Sequence, residues 1–271
     1  MSEAEFDSPT WWGEYSFEVD QIHSWKIGPI KLYIQMRANE WLFAFRREDV
    51  SADVKLGWNR TMNVDSIPRD CELERYAFKE APRRIKLTPM LASKQVITRP
   101  TTPFHLMPGE QVTVYAGTPV WVKIETLEPK TKLTSISTRR LSDTWFGKST
   151  TEGELCYSTK TKCRIRVEEA PISANRAVTP VRITNLSSDK LELKEISLPM
   201  PYLTLFKSSD GHLWTSPVSI IRDKVGNKIT VGISKTPPKE VEHAELIAEA
   251  QKKEKSHVMK DVISAVFGET F

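Results

Sequence analysis

The amino-acid sequence predicts a mostly β fold, and three observations support that class. Apolar and polar residues alternate with a period of two through most of the first 235 residues, as in strands with one buried face. Turn residues bound these alternating segments, and no helical pattern lies between them. Many short strands without intervening helices favour sandwiches or a barrel over a doubly wound nucleotide-binding fold.

The first elements predict hairpins. Residues 29–36 alternate in hydrophobicity, and residues 41–45 follow them after a short polar turn, so we expect these two segments to pair. Residues 112–116 alternate up to Gly117-Thr118-Pro119, after which residues 120–124 alternate again. Since glycine and proline are strong turn formers, this segment predicts a second hairpin.

The next strands are shorter. A strand is expected from Cys156, whose own thiol we expect to be buried and inert, and a polar turn is expected at residues 185–189. Three more strands are expected at residues 202–206, 217–221 and 228–233, because turn-forming residues separate them.

The period changes at the end of the chain, where we expect a helix. Thr236 is a suitable cap, Pro237 and Pro238 suit a first turn, and glutamates follow. Further on, apolar residues repeat at helical spacing. This stripe consists of Val258, Met259, Val262, Ile263, Val266 and Phe267. It is expected to dock on a partner protein or a second copy, or else to pack on its own body.

The sequence therefore predicts two antiparallel β-sandwich-like or barrel-like units followed by a C-terminal α-helix. The expected division is an N-terminal β domain at residues 1–130, a second β domain at residues 131–236 and a helical tail at residues 237–271.

Composition excludes several classes of protein. The net charge is +4, and the sequence does not show the clustered Lys and Arg residues of a dedicated nucleic-acid binder. The acidic start is not a signal peptide, and no apolar run is long enough to span a membrane, so we expect no direct membrane insertion. Three cysteines without an export signal indicate reduced thiols and a cytoplasmic protein. The cysteine and histidine residues do not have the spacing of a metal site, so we expect neither a metal nor a cofactor.

Gly147-Lys148-Ser149-Thr150 resembles the end of a phosphate-binding P-loop. That motif also needs a glycine at the position that Ser142 occupies and a helix after the threonine, whereas here a strand follows. We therefore do not expect nucleotide hydrolysis.

Alternating cations follow Cys156. If the strand continues, Lys160, Lys162, Arg164 and Arg166 share one face, which could bind an anion or an acidic partner. The same row could also be an ordinary solvated face.

The lack of catalytic motifs in the sequence favours a binding protein over an enzyme. The five histidines are scattered, and no nucleophile motif is present, so we expect a non-enzymatic interaction module that binds a protein partner, a second copy or another ligand. The alternative is a carbohydrate-active or other hydrolytic β enzyme, whose carboxylate pair a single sequence cannot locate.

Four segments carry a family resemblance: WWGEY, SWKIGPIKLYIQMRANEWLFAF, LSDTWFGKSTTEGELCYS and HLWTSPVSI. From about Trp11 to Ile233 the chain resembles a prokaryotic family known only as domain of unknown function 432. The resemblance implies no activity, but it implies a membrane-channel partner. It draws attention to the most distinctive segment, with Trp145, Phe146, Gly147, Gly153, Glu154, Cys156 and Tyr157.

Overall fold

The computed structural model describes residues 10–50, 55–147, 151–162, 164–224 and 229–253. These residues form strands and connecting loops, with two single-turn 3₁₀ helices at Val167–Glu169 and Met200–Tyr202 and no α-helix among them. The predicted mostly β class is thus confirmed.

The described residues form two compact units that interleave along the chain. Unit 1 takes in residues 10–50, 56–90 and 121–139, and unit 2 takes in the segment 91–120 and the described residues from 140 onward. The chain therefore leaves unit 1 after residue 90, returns to it at residue 121 and leaves it again after residue 139. A linear division into domains at residues 130 and 236 stays a prediction.

Unit 1 consists of two antiparallel sheets. The strands are β1 (Gly13–Ser16), β2 (Ile22–Ile27), β3 (Ile30–Arg37), β4 (Glu40–Arg47), β5 (Trp58–Thr61), β6 (Glu72–Ala77), β7 (Arg84–Met90), β11 (Trp121–Leu127) and β12 (Lys130–Ser137). One sheet has the order β5–β2–β3–β4–β6 and the other the order β1–β7–β11–β12. The predicted hairpin of residues 29–36 and 41–45 is confirmed, since β3 pairs with β4 along its whole length.

Large aromatic side chains form the core of unit 1. Trp11, Trp25 and Trp41 are fully buried, and Phe17 lies against Trp41 with ring centroids 5.0 Å apart in an edge-to-face arrangement. Such pairs add to the free energy that the burial of their area already contributes. Trp121 of the same unit is also buried, whereas Trp145 of unit 2 is 49% exposed.

Unit 2 contains mixed sheets, in which parallel pairs accompany the expected antiparallel ones. The strands are β8 (Val96–Pro100), β9 (Phe104–Leu106), β10 (Gln111–Pro119), β13 (Ser142–Gly147), β14 (Gly153–Thr161), β15 (Arg176–Asn185), β16 (Leu191–Leu193), β17 (Ile196–Leu198), β18 (Leu205–Lys207), β19 (Leu213–Thr215), β20 (Val218–Arg222), β21 (Ile229–Ile233) and β22 (Glu245–Ala248). The largest sheet has the order β21–β20–β15–β19–β18–β22, with β10 also paired to β15. A second sheet has the order β13–β14–β8–β17, and β16 pairs with β9.

The predicted second hairpin is wrong. Gly117, Thr118 and Pro119 continue β10 and pair with β15, rather than forming a turn. Strand β11 instead pairs with β7 and β12 in unit 1. The partners are far away in the sequence, so the local glycine and proline signal was overridden by long-range pairing.

The predicted helix start at Thr236 is also wrong. The Thr236 hydroxyl lies 2.8 Å from the Ser234 hydroxyl in a tight turn, and β22 pairs with the edge of β18. A strand here satisfies backbone groups that β18 would otherwise leave unpaired, which a helix could not do. The stripe from Val258 to Phe267 lies outside the described residues, and its docking role stays a prediction. No helix among the described residues has the length and apolar character needed to cross a bilayer.

Candidate functional site

A groove of about 420 Å³ lies on the largest sheet of unit 2, and four aligned strands form its floor. Thr113 of β10 is in register with Arg182 of β15, which is in register with Ser219 of β20, and Ser219 is in register with Gly232 of β21. Residues in register point to the same face of a sheet, and four adjacent strands span about 14 Å. The row therefore presents two hydroxyl groups and one guanidinium on a common surface.

The strand alternation explains why this row faces outward. The next row, on the opposite face, includes Ile183, Ile220 and Val231, all of which are buried. Burying that apolar face leaves Arg182 exposed on the other one. Gly232 keeps the floor open, because a Cβ there would lie 2.7 Å from the Ser219 hydroxyl.

The segment that follows β21 forms one wall of the groove. It contributes Ser234, Thr236, Pro237, Lys239 and Glu240 to the lining. The amide of Ser234 donates to the carbonyl of Pro217 at 2.9 Å, which holds the start of this wall against β20.

Tyr115 anchors the far end of the wall. Its hydroxyl donates to Glu240 Oε1 at 3.0 Å, while its ring lies edge-on to Trp214 with centroids 6.4 Å apart. Val241 packs into the same apolar cluster. Burial first, and then the Glu240 carboxylate, raise the pKa of Tyr115 to about 12, so the hydroxyl stays a donor at neutral pH.

The charges of the groove favour an anion. Neither Arg182 nor Lys239 forms an ion pair with any described residue. The acidic lining residue, Glu240, already accepts the Tyr115 hydroxyl. Unpaired guanidinium and ammonium groups beside several hydroxyls are the donor set that binds carboxylate or phosphate oxygens.

The segment that carried the family resemblance forms a hairpin elsewhere in unit 2. Strand β13 pairs with β14, so that Trp145 lies opposite Leu155 and Phe146 lies opposite Glu154. Trp145 and Leu155 are each about half exposed, whereas Phe146 and Cys156 are buried beside Ile97. As predicted, the Cys156 thiol is buried, and burial raises its pKa to about 12.

Polar contacts attach this hairpin to strand β8. Gln95 donates to Glu154 and accepts a hydrogen bond of 2.6 Å from the hydroxyl of Ser197. The Lys94 ammonium lies 4.8 Å from the centre of the Tyr157 ring. These contacts give the residues a structural role, and a binding role for the hairpin stays a prediction.

Gly147 and Gly153 face each other at the end of the hairpin. A Cβ on Gly147 would lie 2.3 Å from the Cα of Gly153, and a Cβ on Gly153 would lie 2.8 Å from Trp145 Nε1. Both positions therefore require glycine for a steric reason. Residues 148–150 of the P-loop-like segment lie outside the described residues.

The four predicted cations do not lie on one continuous strand among the described residues, and their role in binding an anion or an acidic partner stays a prediction. Strand β14 ends at Thr161, so Lys160 is in the strand, but Lys162 is not. The amide of Tyr115 donates to the carbonyl of Arg164 at 2.7 Å, and Arg166 precedes a 3₁₀ helix. The alternation of a single strand therefore does not place these four side chains on one face.

Two of these cations, Arg164 and Arg166, are also partly neutralised. Glu169 lies 3.3 Å from the Arg164 guanidinium and 3.9 Å from that of Arg166. This distinguishes them from Arg182, which sequence reasoning did not single out.

Unit 1 has a second cavity of about 450 Å³. Its lining includes Arg37, Arg69, Asp65 and Cys71 around a face of the five-stranded sheet. No group of three metal-ligating side chains converges in the parts of the chain that the structure describes.

Comparison with protein-family models identifies the family of this chain. A family model described as "Protein of unknown function (DUF432)" matches residues 11–267, nearly the whole chain, which confirms the resemblance seen in the sequence. Comparisons with curated proteins and with solved structures give no match.

Proposed function

We propose that this chain, which belongs to the DUF432 family, is a non-enzymatic binding module whose unit 2 groove takes a small anionic ligand. One observation carries the proposal: Arg182 and Lys239 line a groove without an ion-pair partner among the described residues. An unpaired cation beside hydroxyl donors gains charge-assisted hydrogen bonds when a carboxylate or phosphate group binds.

The lining of the groove supports recognition of one compact group. Three prolines, Pro180, Pro217 and Pro237, line the groove together with Val218 and Ile233. Rigid apolar walls around a few polar donors are typical of ligand sites that orient a bound molecule.

Hydrolysis has less support than binding. A glycosidase needs two carboxyl groups that converge on its substrate. Glu240 is the single acidic residue in the described lining of the groove, and Asp65 is the single one in the lining of the unit 1 cavity.

The proposal includes a cellular setting. We place the module in the cytoplasm, where the partly buried thiol of Cys71 and the buried thiol of Cys156 would stay reduced; both are free cysteines. The family resemblance supports a protein partner there, in particular a membrane-channel protein.

The test uses inorganic phosphate as the probe, at constant ionic strength, with amide chemical shifts of the whole protein as readout. We expect saturable shifts at Gly232 and its neighbours, and at least tenfold weaker binding in Arg182→Gln, because a charge-assisted hydrogen bond is lost. The matched control is Arg83→Gln, an exposed arginine of unit 1. If binding is absent, or if Arg182→Gln binds as tightly as the parent, the groove is not an anion site.

A further inference from the structure

A second unusual cation, Arg60, lies in unit 1, far along the chain from the groove. Arg60 is on β5, the edge strand of the five-stranded sheet, and is in register with Trp25 of β2. Its guanidinium carbon lies 4.6 Å from the centre of the Tyr15 ring and 5.2 Å from that of Trp25. Tyr15 comes from β1, the edge strand of the other sheet of this unit. The cation therefore sits at a rim where the two sheet edges meet.

The donors of this guanidinium are mostly unused. Arg60 Nε is buried and has no hydrogen-bond partner among the described residues. An N–H of the terminal nitrogen Nη2 points at His23 Nδ1, but the separation of 3.5 Å makes that a weak contact. A guanidinium has five N–H donors, so several of them have no acceptor among the described residues.

His23 supplies no compensating charge. Its Nε2 lies 3.3 Å from Gln21 Oε1, which fits a neutral ring that donates from Nε2 and accepts at Nδ1. Burial first, and then the Arg60 charge, lower the pKa of His23 to about 4. Phe17 and Trp25 are the other rings against it, and Arg60 is the charged group that faces it.

Other arginines of the same unit are arranged differently. Arg37, Arg46, Arg83 and Arg84 each have a carboxylate oxygen between 2.7 and 3.1 Å away. Arg60 is more buried than they are, and the described groups around its guanidinium are the Tyr15 and Trp25 rings and the edge of the His23 ring. No described carboxylate pairs with it, although removing a cation from water without a counter-charge is costly.

We propose that Arg60 binds the oxyanion group, carboxylate or phosphate, of a ligand at this rim of unit 1, with the Tyr15 and Trp25 rings as its walls. The two rings hold the planar guanidinium in place, so that its outer N–H groups form a fixed fork. Such a fork matches the two oxygens of a carboxylate or phosphate. The half-buried position strengthens the attraction relative to an arginine in water.

The experiment is a pair of titrations of the full chain, one with sodium phosphate and one with sodium acetate, each at constant ionic strength. The readouts are the ring resonances of His23 and the indole resonance of Trp25. We expect saturable shifts with at least one anion and a rise in the pKa of His23 from about 4, because a bound anion offsets the Arg60 charge.

Two variants complete the test. Arg60→Gln should weaken binding at this site at least tenfold and raise the pKa of His23 without any anion, whereas Arg83→Gln should change neither. Arg60→Lys keeps the charge but loses the fork and should bind at least threefold more weakly. Saturation with phosphate alone would identify a phosphate site, and saturation with acetate would identify a carboxylate site. Absence of saturation with both anions in the parent protein would overturn the proposal and leave Arg60 with packing as its role.

Discussion

Replacing Tyr115 with phenylalanine removes the hydroxyl that holds the wall of the groove while leaving the ring against Trp214. A hydrogen bond to a charged group contributes about 1.5–3 kcal/mol when buried. Because Glu240 is half-buried and solvent screens its charge, we expect a loss of about 1 kcal/mol in the free energy of unfolding.

The assay is a double-mutant cycle in urea. The free energy of unfolding is measured for the parent, for Tyr115→Phe, for Glu240→Ala and for the double variant, from the urea transition that these substitutions shift. We expect a coupling energy of about 1 kcal/mol, and Glu242→Ala, an exposed neighbour on the same segment, serves as the control. A coupling energy indistinguishable from zero would refute the role of this hydrogen bond.

The contribution of Tyr115 to the free energy of unfolding should also depend on pH. The folded pKa of Tyr115 is about 12, above the ordinary value of 10, so the unfolded chain ionises first as pH rises. The stability that the neutral Tyr115 hydroxyl contributes is complete below pH 10 and is lost as pH rises through 12, to a limit on the order of 3 kcal/mol. Tyr115→Phe should therefore lose less stability than the parent between pH 9 and pH 11.5.

Two further predictions concern the hairpin that carries the family resemblance. Gly147→Ala should lower the free energy of unfolding by about 1–3 kcal/mol, because its Cβ would overlap the backbone of Gly153. Gly57→Ala is the control and should be nearly neutral, since a Cβ at that position would have nothing within 4 Å. Equal effects of the two substitutions in urea unfolding would contradict the steric argument. The second prediction uses a variant that retains Cys156 as its single cysteine. At pH 8 a bulky thiol reagent should label the native protein much more slowly than the unfolded protein, since burial raises the pKa of the Cys156 thiol to about 12. Rapid labelling of the native protein would show that the thiol is accessible.

The local sequence pattern was sufficient to predict strand pairing where the paired strands are neighbours in the sequence. The hairpin of β3 and β4 could be predicted because both strands alternate around a short polar turn. Cys156 could be predicted as buried because it lies in a predicted strand without partners at metal-ligand spacing. The family could likewise be recognised from motifs that lie in continuous segments.

Tertiary structure decided what depends on distant pairing. Gly117 looks like a turn residue but lies within a strand because β15, some sixty residues away, pairs with it. The four cations near Arg164 likewise do not lie on one continuous strand among the described residues, and Arg164 forms a bridge with Tyr115 of β10.

The sequence by itself determined the β class, the first hairpin and the family, because each depends on residues within a few positions of one another. The groove and the Arg60 rim depend instead on register: Thr113, Arg182 and Ser219 have no motif in common, and Tyr15 and Arg60 meet because two sheets place their edge strands together. The period of two shows which residues share a face along one strand, but which residues meet across strands is decided by free energies of pairing between distant segments.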